Sequence, residues 1–302
     1  MKNPKKATTE KKDVYQMVTD FIIGKLESGV VAWRRPWKAG VGLTVYSPCN
    51  YVSKAPYKGI NAFMLFSMPY EKQYYMTCKQ ANDLGGKVKK GEKGQFVVFW
   101  TFLFFNEAGK KVRLEKDASK KVPLLRYYTV FNVEQIEGIE FSYDTPEITE
   151  FNEIEICEQI VTNMPNKPTI DHKGGNQAYY TRCFDRVSMP VKNAFHEEAK
   201  YYSTLFHELV HSTGHEKRLN REELIKHDGF GGDNYSKEEL TAEFGAAFLC
   251  AAAGIETATI ENTAAYIKSW IKSLKTDKTM LIQAAGKAQR ATEYILNNSV
   301  KE

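Results

Sequence analysis

The chain has 302 residues, 42% of them hydrophobic and 26% charged, a balance that excludes a disordered chain and suits a folded protein. No run reaches the roughly 18 uninterrupted apolar residues of a membrane helix, and the opening MKNPKKATTEKK is charged with no apolar stretch behind it, so the expectation is a cytoplasmic protein without a secretory signal or a membrane partner. The net charge of +5 conceals an asymmetry: up to Thr145 there are 24 Lys/Arg against 14 Asp/Glu, and beyond it 18 against 23. A basic first part, suited to a polyanion, thus precedes an acidic second part.

Single cores stop growing near roughly 250 to 300 residues, so the length predicts two. Residues 1–12 are lysine-rich and read as a flexible basic arm. Val14, Met17, Val18, Phe21, Ile22 and Leu26 recur at helical spacing before Gly29, predicting a first amphipathic helix. A loop rich in Trp, Pro and Gly follows, then a second helix around GINAFML and a short strand and helix in EKQYYMTCKQANDLGG. The long β run QFVVFWTFLFF finds a hairpin partner in LLRYYTVFNVEQIEG, with the polar stretch 106–123 as the tip. A shift of composition and a proline at 142–151 mark a boundary. The division is an arm at 1–12, a first domain at 13–145 and a second at 146–302.

In the second domain FNEIEICEQIVTNM reads as a helix, 179–189 as a strand, and HEEAKYYSTLFHELVHSTG as a helix closed by Gly214. KEELTAEFGAAFLCAAAG reads as a helix capped by Ser236, and 262–297 as one long helix with Tyr266, Trp270 and Leu274 on one face. The class expected is α+β, a mixed α/β domain followed by a mainly helical one. Five scattered cysteines without a C-x-x-C pair read as reduced thiols.

The most specific motif is His207-Glu208-Leu209-Val210-His211. Residues four apart share a helix face, so both imidazoles can bind one Zn²⁺ while Glu208 reaches a water that the metal has made acidic, its pKa falling from about 15.7 to about 7. The surrounding apolar face, Tyr202, Leu205, Phe206, Leu209 and Val210, suits such a helix better than two structural histidines. A third protein ligand is required. His215 lies beyond the helix end, and Lys217 occupies the position of a third histidine in HExxHxxGxxH enzymes. Glu239 and Glu243, one turn apart on the next helix, are better placed: Glu239 as ligand and Glu243 behind a histidine, as in thermolysin-like sites. Ser236-Lys237-Glu238-Glu239 also reads as a capping box, which would hold Glu239 at the helix start and give Glu243 the metal.

The first domain carries Trp33, Arg34, Arg35, Trp37 and Lys38 within six residues, then Tyr51, Lys54, Tyr57 and Lys58. Rings interleaved with cations suit single-stranded DNA, since rings stack on unpaired bases while lysine and arginine follow phosphates. Lys87, Lys89, Lys90 and Lys93 form a second cluster among glycines. The competing reading makes the tryptophans core and the lysines solubilising.

Taken together, AWRRPW, YKGIN, KQANDLGGKVKKGEKG and VFNVEQ in the first part, and FDRVSMP, HELVHSTGHEKRLNR and YSKEELTAEFGAAFL in the second, resemble the ArdC-type antirestriction proteins of mobile elements over nearly the whole chain. The resemblance implies an N-terminal single-stranded DNA-binding domain, a C-terminal zincin-like metallopeptidase domain, and protection of incoming mobile-element DNA from host restriction; one Zn²⁺ per chain and an unknown peptide or protein substrate are the expectations for the site. The alternative is a DNA-coating protein whose zinc is structural and hydrolyses nothing.

Overall fold

The computed structural model describes residues 13–27, 48–113, 115–143, 153–173, 175, 177–225, 233–255 and 263–298. The arm at 1–12, the cluster Trp33, Arg34, Arg35, Trp37 and Lys38, and most of the expected boundary segment lie outside them. The first part runs α1 (Val14–Glu27), β1 (Cys49–Asn50), α2 (Ile60–Phe66), β2 (Tyr74–Met76), α3 (Cys78–Asp83), β3 (Lys87–Val88), β4 (Gln95–Phe105), β5 (Lys111–Val112), β6 (Lys120–Asn132) and β7 (Ile136–Glu137). Thr77 and Gln80 start α3 with a reciprocal capping box. Five strands form a sheet in the order β1-β2-β6-β4-β5, and β3 pairs with β7.

β4 and β6 pair antiparallel without interruption from Gln95↔Val130 to Phe105↔Lys120. The strand therefore takes in Lys120–Pro123, which the sequence had suggested for the tip. Pro123 is tolerated because β2 pairs with β6 only at Phe131 and Asn132, so among the described residues the edge beside Pro123 needs no donor.

The second part runs α4 (Glu153–Asn163), β8 (Thr169–Asp171), β9 (Tyr179–Thr181), β10 (Arg186–Ser188), α5 (Glu198–Thr213), α6 (Glu222–Ile225), α7 (Asp233–Ala253), α8 (Thr263–Thr276) and α9 (Met280–Ile295). The fold is α+β, mixed in its first part and mainly helical in its second. Three details depart from expectation. The strand at 179–189 is a hairpin: a 3-10 turn at Arg182–Phe184 and Asp185 at φ 45° fold β10 back on β9. The single final helix is two, because the Asp277 carboxylate accepts from the Thr279 N–H (2.9 Å) and hydroxyl (2.6 Å), offering a local alternative to the helical ladder. α7 begins at Asp233, so Ser236 is buried inside the helix and caps nothing. No described helix is long and apolar enough to cross a membrane.

α7 is buried on almost every side and joins the two large apolar clusters. Leu240, Phe244 and Ala247 pack with Val18 and Ile22 of α1, Phe63 and Met64 of α2, Val98, Leu125, Trp270, Leu281 and Ala285. Ala242, Ala246, Leu249 and Cys250 pack with Cys157, Val187, Phe206, Leu209 and Ala291. The first cluster thus draws on residues from both sides of the expected boundary. The reason lies in α2, apolar except at Asn61: Leu65 meets the sheet residues Tyr75, Val97 and Val130, while Phe63 and Met64 on other faces need the helices of the second part.

Phe63 makes this seam measurable, since its ring lies 4.3 Å from Phe244 and 4.4 Å from Phe248, centroid to centroid. Phe63→Ala and Phe244→Ala are each expected to destabilise the full chain by about 3–5 kcal/mol in urea unfolding, and the double variant by less than the sum, with a coupling of about 0.5–3 kcal/mol. Additive costs would show that the two parts do not share this core.

Candidate metal centre

Helices α5 and α7 come close at Gly245, where a Cβ would stand 2.6 Å from Val210 Cγ2. Only glycine permits that approach. It sets the first half of α7, with Glu238, Glu239 and Glu243, against the last half of α5, with His207, Glu208 and His211. His207 Nε2 and His211 Nε2 are 3.1 Å apart. Glu239 faces both, with Oε1 3.4 Å from His211 Nε2 and Oε2 3.6 Å from His207 Nε2. Donors about 2.0–2.1 Å from a tetrahedral zinc are separated by about 3.3–3.4 Å, and the three edges bracket that value. Among the described residues, His207, His211 and Glu239 form the group of His, Cys, Asp and Glu able to hold a metal ion. The donor set and its spacing fit a divalent ion.

The far nitrogens face two further carboxylates. His211 Nδ1 lies 3.2 Å from Glu238 Oε1 and His207 Nδ1 lies 3.7 Å from Glu243 Oε1. A proton on Nδ1 of His211, given to Glu238, leaves the Nε2 lone pair for the shared side. Glu208 is buried beside His207.

Charge balance explains how so many ionisable groups share an enclosed space. Burial disfavours the His211 proton, but Glu239 and Glu238 outweigh it and hold the imidazole well above its ordinary pKa; His207 is raised in the same way, chiefly by Glu239. Burial would raise Glu239, yet His211 and His207 hold it far below the usual carboxylate range. Glu238, opposed by burial, is kept low by Arg221 and then His211.

Two arginines in the turn after α5 complete the frame, and sequence reasoning missed both. Arg221 donates through Nε to Glu238 Oε2 at 2.9 Å, through Nη1 to Thr213 and through Nη2 to Val210 O at 2.7 Å. Arg218, whose side chain is fully enclosed, donates through Nε to Ser212 O and through Nη1 to Asn166 O, both at 2.7 Å, and pairs with Asp185. The terminal carbonyls of α5, which lack helical partners, are thus met by cations where the helix dipole favours them. Gly214 is required here for closeness: a Cβ would lie 2.9 Å from Leu224 Cδ2 and 3.1 Å from Arg221 Nη2. Glu238 had a visible signal in its place beside Glu239. For Arg221 helical spacing offers none, because it bonds from outside the helix.

Among the described residues, the expected DNA contacts are not gathered by any comparable geometry. Tyr57 is half-buried against Tyr75, centroids 6.5 Å apart, and burial pushes its phenol far up. Lys58 pairs with Glu293 of α9 at 2.8 Å, Lys87 with Glu137 at 3.3 Å, and Lys89 donates to Glu134 O at 2.7 Å. Lys90 and Lys93 are exposed. Lys54 lies 4.3 Å over the Tyr51 ring. His215 is buried outside the cluster and accepts from the Lys217 N–H.

Comparison with known proteins covers both halves. The family model for the N-terminal domain of anti-restriction factor ArdC matches residues 12–131, and that for a zincin-like metallopeptidase matches residues 156–287. Two crystal structures of the antirestriction ArdC protein from the R388 plasmid share the fold. The metal-free one is 34% identical with a TM-score of 0.75, covering 95% of this chain and 98% of that one. The Mn(II)-bound one is 35% identical with a TM-score of 0.73, covering 96% and 99%. An uncharacterized protein, y4eC, of Sinorhizobium fredii (strain NBRC 101917 / NGR234) is 32% identical over 94% of this chain and 91% of its own length. Two Escherichia coli proteins named DNA primase TraC are 34% and 33% identical over 95% of this chain, which spans only 20% and 27% of their length.

The cluster predicts opposite pH trends with and without metal. In the metal-free protein the raised histidines contribute stability in full below about pH 6.5, their unfolded pKa, and lose it as pH rises through their folded values; the depressed glutamates contribute above about pH 4.3 and lose it on acidification through theirs. Thermal unfolding in chelator is therefore expected to show a falling Tm above about pH 6.5, whereas the Tm gain on adding zinc grows with pH as protons leave the ligands. A metal-free Tm that rose over this range would contradict the coupling.

Proposed function

Since the chain belongs to the ArdC antirestriction family, we propose that it protects incoming DNA from restriction by binding single strands through its basic first part, and that its second part holds one zinc ion at a peptidase-type centre. The observation that carries the second half is the triangle of His207, His211 and Glu239, whose ligand atoms lie within 4.8 Å of one another, with one Glu239 oxygen facing each imidazole Nε2 at 3.4 and 3.6 Å and the two Nε2 atoms 3.1 Å apart. The Mn(II)-bound relative supports a divalent ion, and the mixed imidazole and carboxylate set suits zinc. The excess of lysine and arginine before Thr145 supports the DNA half. Widely spaced thiols suit the reducing cytosol, where such DNA would be met.

Each residue has a distinct task in this reading. His207, His211 and Glu239 are the ligands; Glu243 and Glu238 stand behind the two imidazoles and fix their orientation. When bound, zinc supplies a Lewis acid that polarises a carbonyl and acidifies water. Glu208, next to His207 and outside the triangle, takes the proton from the attacking water and returns it to the leaving amine. Trp33, Arg34, Arg35, Trp37, Lys38, Tyr57, Lys58 and the lysines at 87–93 remain the contacts to DNA that sequence composition favours.

Metal content of the purified full chain separates these roles. His207→Ala and His211→Ala are expected to lose stoichiometric zinc, while Glu208→Gln keeps it and abolishes any peptide hydrolysis. Glu239→Gln is expected to weaken zinc binding by more than the roughly 10- to 100-fold of Glu243→Gln. The reverse ranking would make Glu243 the ligand. Full zinc occupancy with no peptide or protein hydrolysis would reduce the centre to a structural one.

A further inference from the structure

Among the described residues, five exposed rings lie on one β ladder: Phe99, Trp100 and Phe102 of β4 and Tyr127 and Tyr128 of β6. Scattered exposed rings need no explanation, but a cluster on one element marks an interaction surface. Opposed residues of an antiparallel pair share a face, and the register sorts these rings. Phe99 (opposite Arg126) and Tyr128 (opposite Val97) stand on one face, beside Val97, Val130 and Tyr75, which are buried against Leu65 of α2. Trp100, Phe102 and Tyr127 stand on the other, where Trp100 meets Tyr15 of α1.

The first face has the composition that an unpaired strand requires. Phe99 and Tyr128 are 39% and 38% exposed, with centroids 5.5 Å apart and planes tilted by 56°, so each keeps ring surface for another partner. Tyr57 packs on Tyr75 at the foot of this face and extends the aromatic surface inward. Cations lie along it: Arg126 is exposed beside Phe99, and exposed Lys120, opposite Phe105, ends the same row. The turn region 106–126 holds seven Lys/Arg against three Asp/Glu. By contrast, the predicted contacts Lys58 and Lys87 already pair with glutamates. A duplex hides the flat faces of its bases, whereas a single strand offers them to rings and its phosphates to the neighbouring cations.

We propose that this face of the β4–β6 ladder seats single-stranded DNA, with bases stacking on Phe99 and Tyr128 and phosphates following Arg126 and Lys120. The proposal rests on the single-strand reading above and gives it a location on the sheet, on residues other than those that composition favours.

Anisotropy titrations of labelled oligothymidylate against the full chain test it. Phe99→Ala and Tyr128→Ala are each expected to weaken binding by roughly 5- to 150-fold with an unchanged salt slope. Arg126→Ala is expected to flatten the dependence of log affinity on log salt by about 0.7. Phe102→Ala, on the opposite face, is expected to leave binding unchanged. Phe99→Leu and Tyr128→Leu, which keep apolar bulk without a ring, give the same loss if an alanine variant fails to fold. Wild-type affinity in the Phe99 and Tyr128 variants, or an equal loss in Phe102→Ala, overturns the assigned face while single-strand binding stands. No binding of oligothymidylate by the unaltered chain overturns the underlying reading.

Discussion

Three carboxylates on one buried helix are the constraint around which this molecule is arranged. Glu238, Glu239 and Glu243 lie on α7 with side chains only 6%, 13% and 3% exposed. Enclosed charge is strongly unfavourable unless it is paired and hydrogen-bonded. Glu238 is answered by the Arg221 guanidinium and His211 and Glu239 by both imidazoles, while Glu243 Oε1 faces the far side of His207 at 3.7 Å. Arg221 is in turn tied to carbonyls of α5, so α5, its following turn and α7 form one electrostatic unit. Such pairing orients the side chains that would hold a metal.

The same helix joins this unit to the basic half of the chain. Glu243 faces His207, and the next residue, Phe244, packs on Phe63 of α2. Consecutive helical residues point about 100° apart, so one turn of α7 serves the metal centre and the shared apolar core at once. The small residues of α9, Ala284, Ala285, Ala288 and Ala291, pack into both large clusters and let it lie close. The two halves are therefore one packing problem, although their charges differ in sign.

Local physics was legible in the sequence; partnership between distant segments was not. The period of apolar residues around His207 gave α5, and the turn between Glu239 and Glu243 gave a face able to meet it, because both patterns are properties of a single helix. The break at Asp277 was missed because it depends on one carboxylate competing for backbone donors within an otherwise helical pattern. Ser236 misled since a capping sequence can sit inside a helix when burial extends the helix beyond it. Arg221 and Arg218 act across a turn, where no periodicity exists to reveal them. In QFVVFWTFLFF every position after Gln95 is apolar or small enough to read as a buried strand, so the exposure of Phe99 and Phe102 appears only once the register and the limited cover of the sheet are known.

The central claim is that two imidazoles and one carboxylate from α5 and α7 converge on a single ion. X-ray absorption at the zinc edge, on the full chain loaded with one equivalent of zinc, tests it most directly. The expected spectrum has a first shell of nitrogen and oxygen at about 2.0–2.1 Å, with outer-shell scattering from two imidazole rings that disappears together with the bound zinc in His211→Ala. A sulfur shell at about 2.3 Å, or a spectrum unchanged in that variant, would place the metal elsewhere and contradict it.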